Sequence, residues 1–462
     1  MPEAAQTGLF GMLPEQVSAA RPAGAPRLRK AERRQVSLRP ISLEDLLPPD
    51  HRARFVWAFA ERLDLSALYG AIKAVEGRPG HPPADPRLLL ALWLYATVEG
   101  VGSARELDRL CREHTGFEWL CGGVGMNHTT LADFRIAHGA VLERLLVDSV
   151  AAMLKCGHAS LDRVAQDGMR VRAAAGAASF RRRVSLERCR AEAAAEVARL
   201  RAELEADPGG LGRRQAAARQ RAAADRERRV EAALAVAGQL AATRQATPRS
   251  GEPDPSGPEG GPAGDGPVGA SAAKPPPEPR VSTTDAEARV MKMPDGGFRP
   301  AYNVQVAGDP DSQVIVGVAI DTRGCDVGQL RPMLEQLQDR YGRTPSWYLA
   351  DGGFRQFADI EWAWSHDTAA VIPAQGRDGK DPYAPRPGDG PGVTVWRELM
   401  SGALGQRMYR VRSQLECLFA QMRQRDLRQV LVRGSRKVRC VMLLHALAHN
   451  LLCAARLRAQ VV

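Results

Sequence analysis

The hydrophobic period of this chain changes once, and that change limits the fold more than any other feature. From about residue 41 to residue 155 apolar side chains recur at helical spacing. Beyond that point residues 161–172 and 301–307 have strand character, and 313–320 is an apolar, β-branched run. Residues 327–341 return to helical spacing and 346–349 form a short strand. Residues 354–364 are helical, 368–372 make a last strand, and a long helix runs from about Gln406. The helical part carries its own start signals. Asp85 is a natural N-cap, Pro86 suits the first helical position, and Gly100 stops the buried run 88–98. Ser103 with Glu106, and Thr130 with Asp133, read as capping-box starts of two more helices.

The order β-β-β-α-β-α-β-α is ribonuclease-H-like. The expected fold class is therefore α/β: an N-terminal all-helical domain, then a ribonuclease-H-like mixed-sheet catalytic domain interrupted by an insert. Five regions follow from the pattern. Residues 1–40 are a flexible basic arm, and 41–155 a helical, DNA-binding domain. Residues 156–184 and 281–455 make the catalytic domain. Residues 185–245, rich in Ala, Arg and Glu with leucines at helical spacing, form a coiled-coil-like insert. Residues 246–280 are dominated by Pro, Gly and Ser and read as a disordered linker. Residues 375–393, rich in Gly, Pro and Asp, are expected to loop beside the site.

Charge narrows the partner. The formal net charge of +11 favours an acidic partner, and residues 407–458 hold twelve basic side chains against two acidic ones. No run reaches the roughly 18 apolar residues that a membrane span needs, so no membrane is expected. Eight cysteines without a Cys-x-x-Cys pair suit reduced thiols in a cytoplasm. Cys111, His114, Cys121 and His128 offer zinc-type atoms but no knuckle of paired ligands. Cys111 falls on an apolar helical stripe, so packing is the expected role.

Three carboxylates stand out within this order. Asp167-Gly168 and Asp351-Gly352-Gly353 each read as a strand ending abruptly, and Glu416 lies on the helix that also carries Tyr409, Arg412 and Arg423. Alone, an Asp-Gly is a common turn and Glu416 with Arg412 is an ordinary i,i+4 ion pair. Together they match the needs of phosphoryl transfer. Two Mg²⁺ ions about 3.5–4 Å apart stabilise the attacking and leaving oxygens, and hard carboxylate oxygens hold them. Asp167 would bridge the ions, with Asp351 and Glu416 flanking. The glycines would let substrate backbone approach. On a regular helix Tyr409, Arg412, Glu416 and Arg423 share a stripe about 60° wide, which suits a metal held beside phosphates. Asp326 is the expected additional contributor, ahead of Asp162, Asp285, Asp321 and Asp359.

These residues resemble the DDE transposases of bacterial insertion sequences. Tyr409-x2-Arg412-x3-Glu416-x6-Arg423 is similar to that family's Tyr-x2-Arg-x3-Glu-x6-Lys signature, with Arg for the final Lys. Asp167-Gly168 followed by Arg170 and Arg172 resembles the segment around the first catalytic Asp, and 349–354 that around the second. Residues 282–285, 301–305 and 432–434 resemble the subgroup with a long insert after the first Asp. The resemblance implies a cytoplasmic, nucleoid-associated DNA transposase. It would bind terminal inverted repeats and target DNA as a homodimer or larger assembly. Asp167, Asp351 and Glu416 would be its catalytic metal ligands, and Tyr409, Arg412, Arg423, Arg170 and Arg172 its DNA contacts. Mn²⁺ would substitute for Mg²⁺. The alternatives are a nuclease of the same fold that only cleaves, and an inactive DNA-binding relic.

Overall fold

The computed structural model describes residues 40–77, 81–206, 212–246, 278–374 and 381–459. The expected basic arm (1–40) and disordered linker (246–280) lie almost wholly outside these residues. The N-terminal region is helical: α1 (Arg52–Arg62), α2 (Ser66–Tyr69), α3 (Pro86–Val98), α4 (Ala104–Glu113), α5 (Thr115–Cys121), α6 (His128–Ala137) and α7 (Gly139–Lys155). Asp85 caps α3, its carboxylate accepting from the Arg87 N–H at 2.8 Å, and Ser103 caps α4. Thr130 does not start α6. Asn127 does, its side chain accepting from the Thr130 N–H at 2.9 Å, so this helix begins earlier than its capping-box pattern suggests.

The second half opens with β1 (Arg163–Arg172), β2 (Phe180–Arg181), α8 (Arg183–Ala206) and α9 (Arg213–Ala246). Then come β3 (Val281–Ser282), β4 (Arg289–Lys292), β5 (Phe298–Gly308), β6 (Ile315–Asp321), α10 (Leu330–Tyr341), β7 (Trp347–Leu349), α11 (Phe357–Trp364) and β8 (Ala369–Val371). The chain closes with α12 (Pro391–Ser401), α13 (Ala403–Arg410), α14 (Gln414–Gln424) and α15 (Ser435–Ala459). Helix α12 was not foreseen, because Gly and Pro around it hid its apolar stripe of Val393, Trp396 and Met400. Nor was the short strand β4.

The main sheet has the order β4-β5-β1-β7-β8, with β6 pairing the other half of β5. β5 runs antiparallel to β1 and to β6, whereas β1, β7 and β8 are mutually parallel. This is the expected mixed α/β sheet, with β1 at its centre. Strand character over 161–172 holds, whereas the abrupt end expected at Asp167-Gly168 does not: β1 runs on to Arg172, because β5 pairs with it from Ala165 to Arg172.

Helix α15 ties the two halves together, packing against α3, α6, α7 and β6 within one continuous buried cluster. Asn450 at 1% exposure closes the join, its side chain bonding both the N–H and the C=O of Ile315 at 2.8 Å. Among the described residues α15 alone is long and apolar enough to cross a membrane by length and composition, the test that a buried core helix also passes. Its place is in the core: 72% of its most apolar window is buried in the fold, and His449 and Asn450 within it bond the backbone of Gln313 and Ile315. The insert is a helical hairpin, α8 against α9, with its own small cluster of Leu186, Ala233, Ala237 and Val281.

Candidate active site

Asp167 sits in mid-strand on β1, on the same face as Ala165 and Met169. The last paired residues of β1 and β7 are Ala165 and Leu349, each two residues before an Asp. The two carboxylates therefore leave neighbouring parallel strands at the same level. Asp351 turns out of β7 to cap a 3₁₀ turn, its Oδ1 accepting from the Gly353 N–H at 2.8 Å. Burial pushes the Asp167 carboxyl above its ordinary range, and the charge of Asp351 pushes it further, against the pull of Arg412.

Arg412 lies in the 3₁₀ turn Val411–Ser413 that joins α13 to α14. Its Nη1 donates to Asp167 Oδ2 at 2.7 Å, and both side chains are largely buried, at 14% and 18% exposure. Its guanidinium also stands 5.7 Å from the Tyr409 ring centroid. The expected single helix from Gln406 is thus two helices joined by a tighter turn, which alters the angular stripe computed for one regular helix. Glu416, in the first turn of α14, is 69% exposed, with Oε1 4.0 Å from Arg412 Nη2. The structure brings Asp167, Asp351 and Arg412 together and leaves Glu416 at their edge, facing solvent. Arg423 is exposed farther along α14.

Arg170 and Arg172 project from the face of β1 opposite Asp167. Arg170 donates from Nη2 to the Gly324 C=O at 2.8 Å, and its Nε is buried without a partner. Gly168 is on that face as well, and its role differs from the expected one. A Cβ there would lie 2.4 Å from Asp326 Oδ1 and 2.7 Å from Asn303 Oδ1 and Gln305 Nε2. The missing side chain makes room for these groups, not for substrate.

The donor chemistry fits a hard divalent cation. Two carboxylates stand close enough for one to raise the other's proton affinity, and a cation relieves that repulsion. Among the described residues, however, no group of three His, Cys, Asp or Glu side chains is close enough to hold an ion. The zinc-type residues of the helical region have other partners: His114 Nδ1 accepts from the Gly116 N–H at 3.1 Å, and Cys111 and Cys121 are buried side by side.

Gln166, Asn303, Gln305 and Tyr348, which lie in the stretches singled out in the sequence but had no role assigned, form a buried polar chain behind Asp167. Tyr348 OH donates to Gln166 Oε1, and Gln166 Nε2 donates to Gln305 Oε1 at 2.8 Å. The signal was present: polar residues at every second position of an otherwise apolar strand, 303 and 305, declare a buried polar face.

Two family models match the chain. The one described as "Transposase DDE domain" matches residues 275–451, and the one described as "Transposase domain (DUF772)" matches residues 41–137. The first contains Asp351 and Glu416 and begins after Asp167 and the helical insert. Searches of curated proteins and of solved structures found no match.

Proposed function

Starting from a chain that belongs to the DDE transposases of insertion sequences, we propose that it binds the terminal inverted repeats of its element and performs metal-dependent DNA cleavage and strand transfer at Asp167, Asp351 and Glu416. The observation that carries this reading is the Asp167–Asp351 pair, level on neighbouring strands at the centre of the sheet, with the first carboxyl's proton affinity raised by burial and by the second. The family generally uses a divalent metal. Here Asp167 and Asp351 would hold Mg²⁺ or Mn²⁺, with Glu416 completing the set. The ions supply positive charge to the attacking and leaving oxygens of an in-line phosphoryl transfer.

The protein's own groups do the rest. Arg412 fixes the rotamer of Asp167 through a charge-assisted bond. The Gly353 N–H fixes Asp351 in the same way. The exposed Arg407, Arg410 and Arg423, on the two helices that flank and carry Glu416, would supply positive charge to a phosphate backbone. In the first step water would attack the phosphorus and release a 3′-hydroxyl. In the second that 3′-hydroxyl would attack target DNA. Arg170, turned to the opposite face, belongs to the support of the sheet. An assembly of two or more chains in the cytoplasm, holding both DNA ends, completes the reading.

The test uses purified protein with terminal-repeat DNA and Mg²⁺. Asp167→Ala, Asp351→Ala and Glu416→Ala should each abolish cleavage while binding the repeats within about threefold of the unmodified protein. Near-normal cleavage in two of the three would sink the assignment. Cleavage without joining to target DNA would instead mark a nuclease.

A further inference from the structure

We propose that Asp326 is a positioning residue, whose carboxylate sets the spacing between Asp167-Gly168 and Asp351-Gly352-Gly353; this rests on the site proposed above. Asp326 follows β6, remote in sequence from both. Its Oδ1 accepts from Asn303 Nδ2 at 2.7 Å and from Gln305 Nε2 at 2.6 Å. The same Oδ1 fills the place of a side chain on Gly168, 2.4 Å from where a Cβ would be. The other oxygen, Oδ2, is 3.9 Å from where a Cβ on Gly353 would be. One carboxylate thus occupies the side-chain place of Gly168, directly after Asp167, and stands at van der Waals distance from where a side chain on Gly353, two residues after Asp351, would begin.

The groups holding it form a continuous chain. Gln305 passes the link to Gln166, the residue before Asp167, and Gln166 to Tyr348, three residues before Asp351. Gln166, Gln305 and Tyr348 are fully buried, and Asn303 is 1% exposed. In such low-dielectric surroundings a connected polar network specifies one arrangement strongly, because any slip leaves a buried group unpaired. The chain spans β7, β1, β5 and the segment after β6, so a shift of either aspartate segment must break it. Asp326 ends this chain and faces the open side-chain place of Gly353, in the turn that Asp351 caps.

A positioning role and a ligand role separate under substitution. Asp326→Asn keeps an oxygen for the two amide donors and keeps the shape, but loses the charge. Asp326→Ala loses all three. The full-length protein is titrated with Mn²⁺, free ion being read by electron paramagnetic resonance, and cleavage of terminal-repeat DNA is followed alongside. Asp326→Ala should weaken Mn²⁺ binding about tenfold or more, whereas Asp326→Asn stays within about threefold of the unmodified protein in both readouts. Equal losses in the two variants would make the charge itself the active element and overturn the proposal. Unchanged Mn²⁺ binding in Asp326→Ala would overturn it as well. Should Asp326→Ala fail to fold, Asn303→Ala, which strips one donor from Oδ1, carries the test with the same expected direction. Asp167→Ala is the control for the site. If it binds Mn²⁺ as tightly as the unmodified protein, the proposed metal site fails, whatever Asp326 does.

Discussion

Gly168→Ala tests the packing behind the central strand more sharply than any change at the carboxylates. The added Cβ would stand 2.4 Å from Asp326 Oδ1 and 2.7 Å from both Asn303 Oδ1 and Gln305 Nε2. Ordinary contacts need about 3.5 Å, so at least one of these atoms must retreat by roughly 1 Å. None is the free end of an exposed side chain: Asn303 and Gln305 are buried and both donate to Asp326. Overpacking of this kind costs about 1–3 kcal/mol, and each stretched hydrogen bond about 1 kcal/mol more. Ala regains about 0.5–1 kcal/mol over Gly within a strand, because Gly loses more chain entropy on folding. The net expectation is a loss of about 2–3 kcal/mol, read as a lower urea midpoint at unchanged slope by circular dichroism. Stability within about 0.5 kcal/mol of the unmodified protein would refute the packing argument. That result, with cleavage lost, would restore the sequence-based idea that Gly168 makes room for DNA.

Arg412→Ala should cost about 1–3 kcal/mol at pH 7, because it leaves the buried Asp167 carboxylate without its partner, and should weaken cleavage more than Arg423→Lys does. Urea unfolding and a cleavage time course measure both, and a larger cleavage defect in Arg423→Lys would contradict the placement of these two side chains. His449 is fully buried, which lowers its pKa from 6.5 to about 4. The folded state holds it neutral, so its contribution is complete above pH 6.5 and is lost as pH falls through about 4, on the order of 3 kcal/mol in all. His449→Gln should flatten the pH dependence of the urea midpoint between pH 6.5 and 4, and an unchanged slope would show that the imidazole is protonated in the fold.

The mixed sheet was legible in the sequence because β5 and the first half of β6 are buried on both faces and α10 keeps a clean apolar stripe. The central part of β5, 301–307, and the position of Asp351 just past β7 follow from local pattern alone, whereas the first residues of β5 pair with the unforeseen β4. Errors arose where partners distant in sequence decide the outcome. Asp167-Gly168 looks like a turn because Asp-Gly usually is one, yet β5 pairs straight through it from a hundred and more residues downstream. Helix α15 carries His449 and Asn450 inside an apolar run. Their partners, the C=O of Gln313 and the backbone of Ile315, become visible only once β6 is in place. Gly168 shows the same dependence at the site itself. Its glycine is dictated by Asp326, Asn303 and Gln305 arriving from β5 and from beyond β6. The order of acidic residues could therefore be read along the chain, but the support that holds Asp167 level with Asp351 could not, because it is assembled from polar side chains on strands that meet only in the folded sheet.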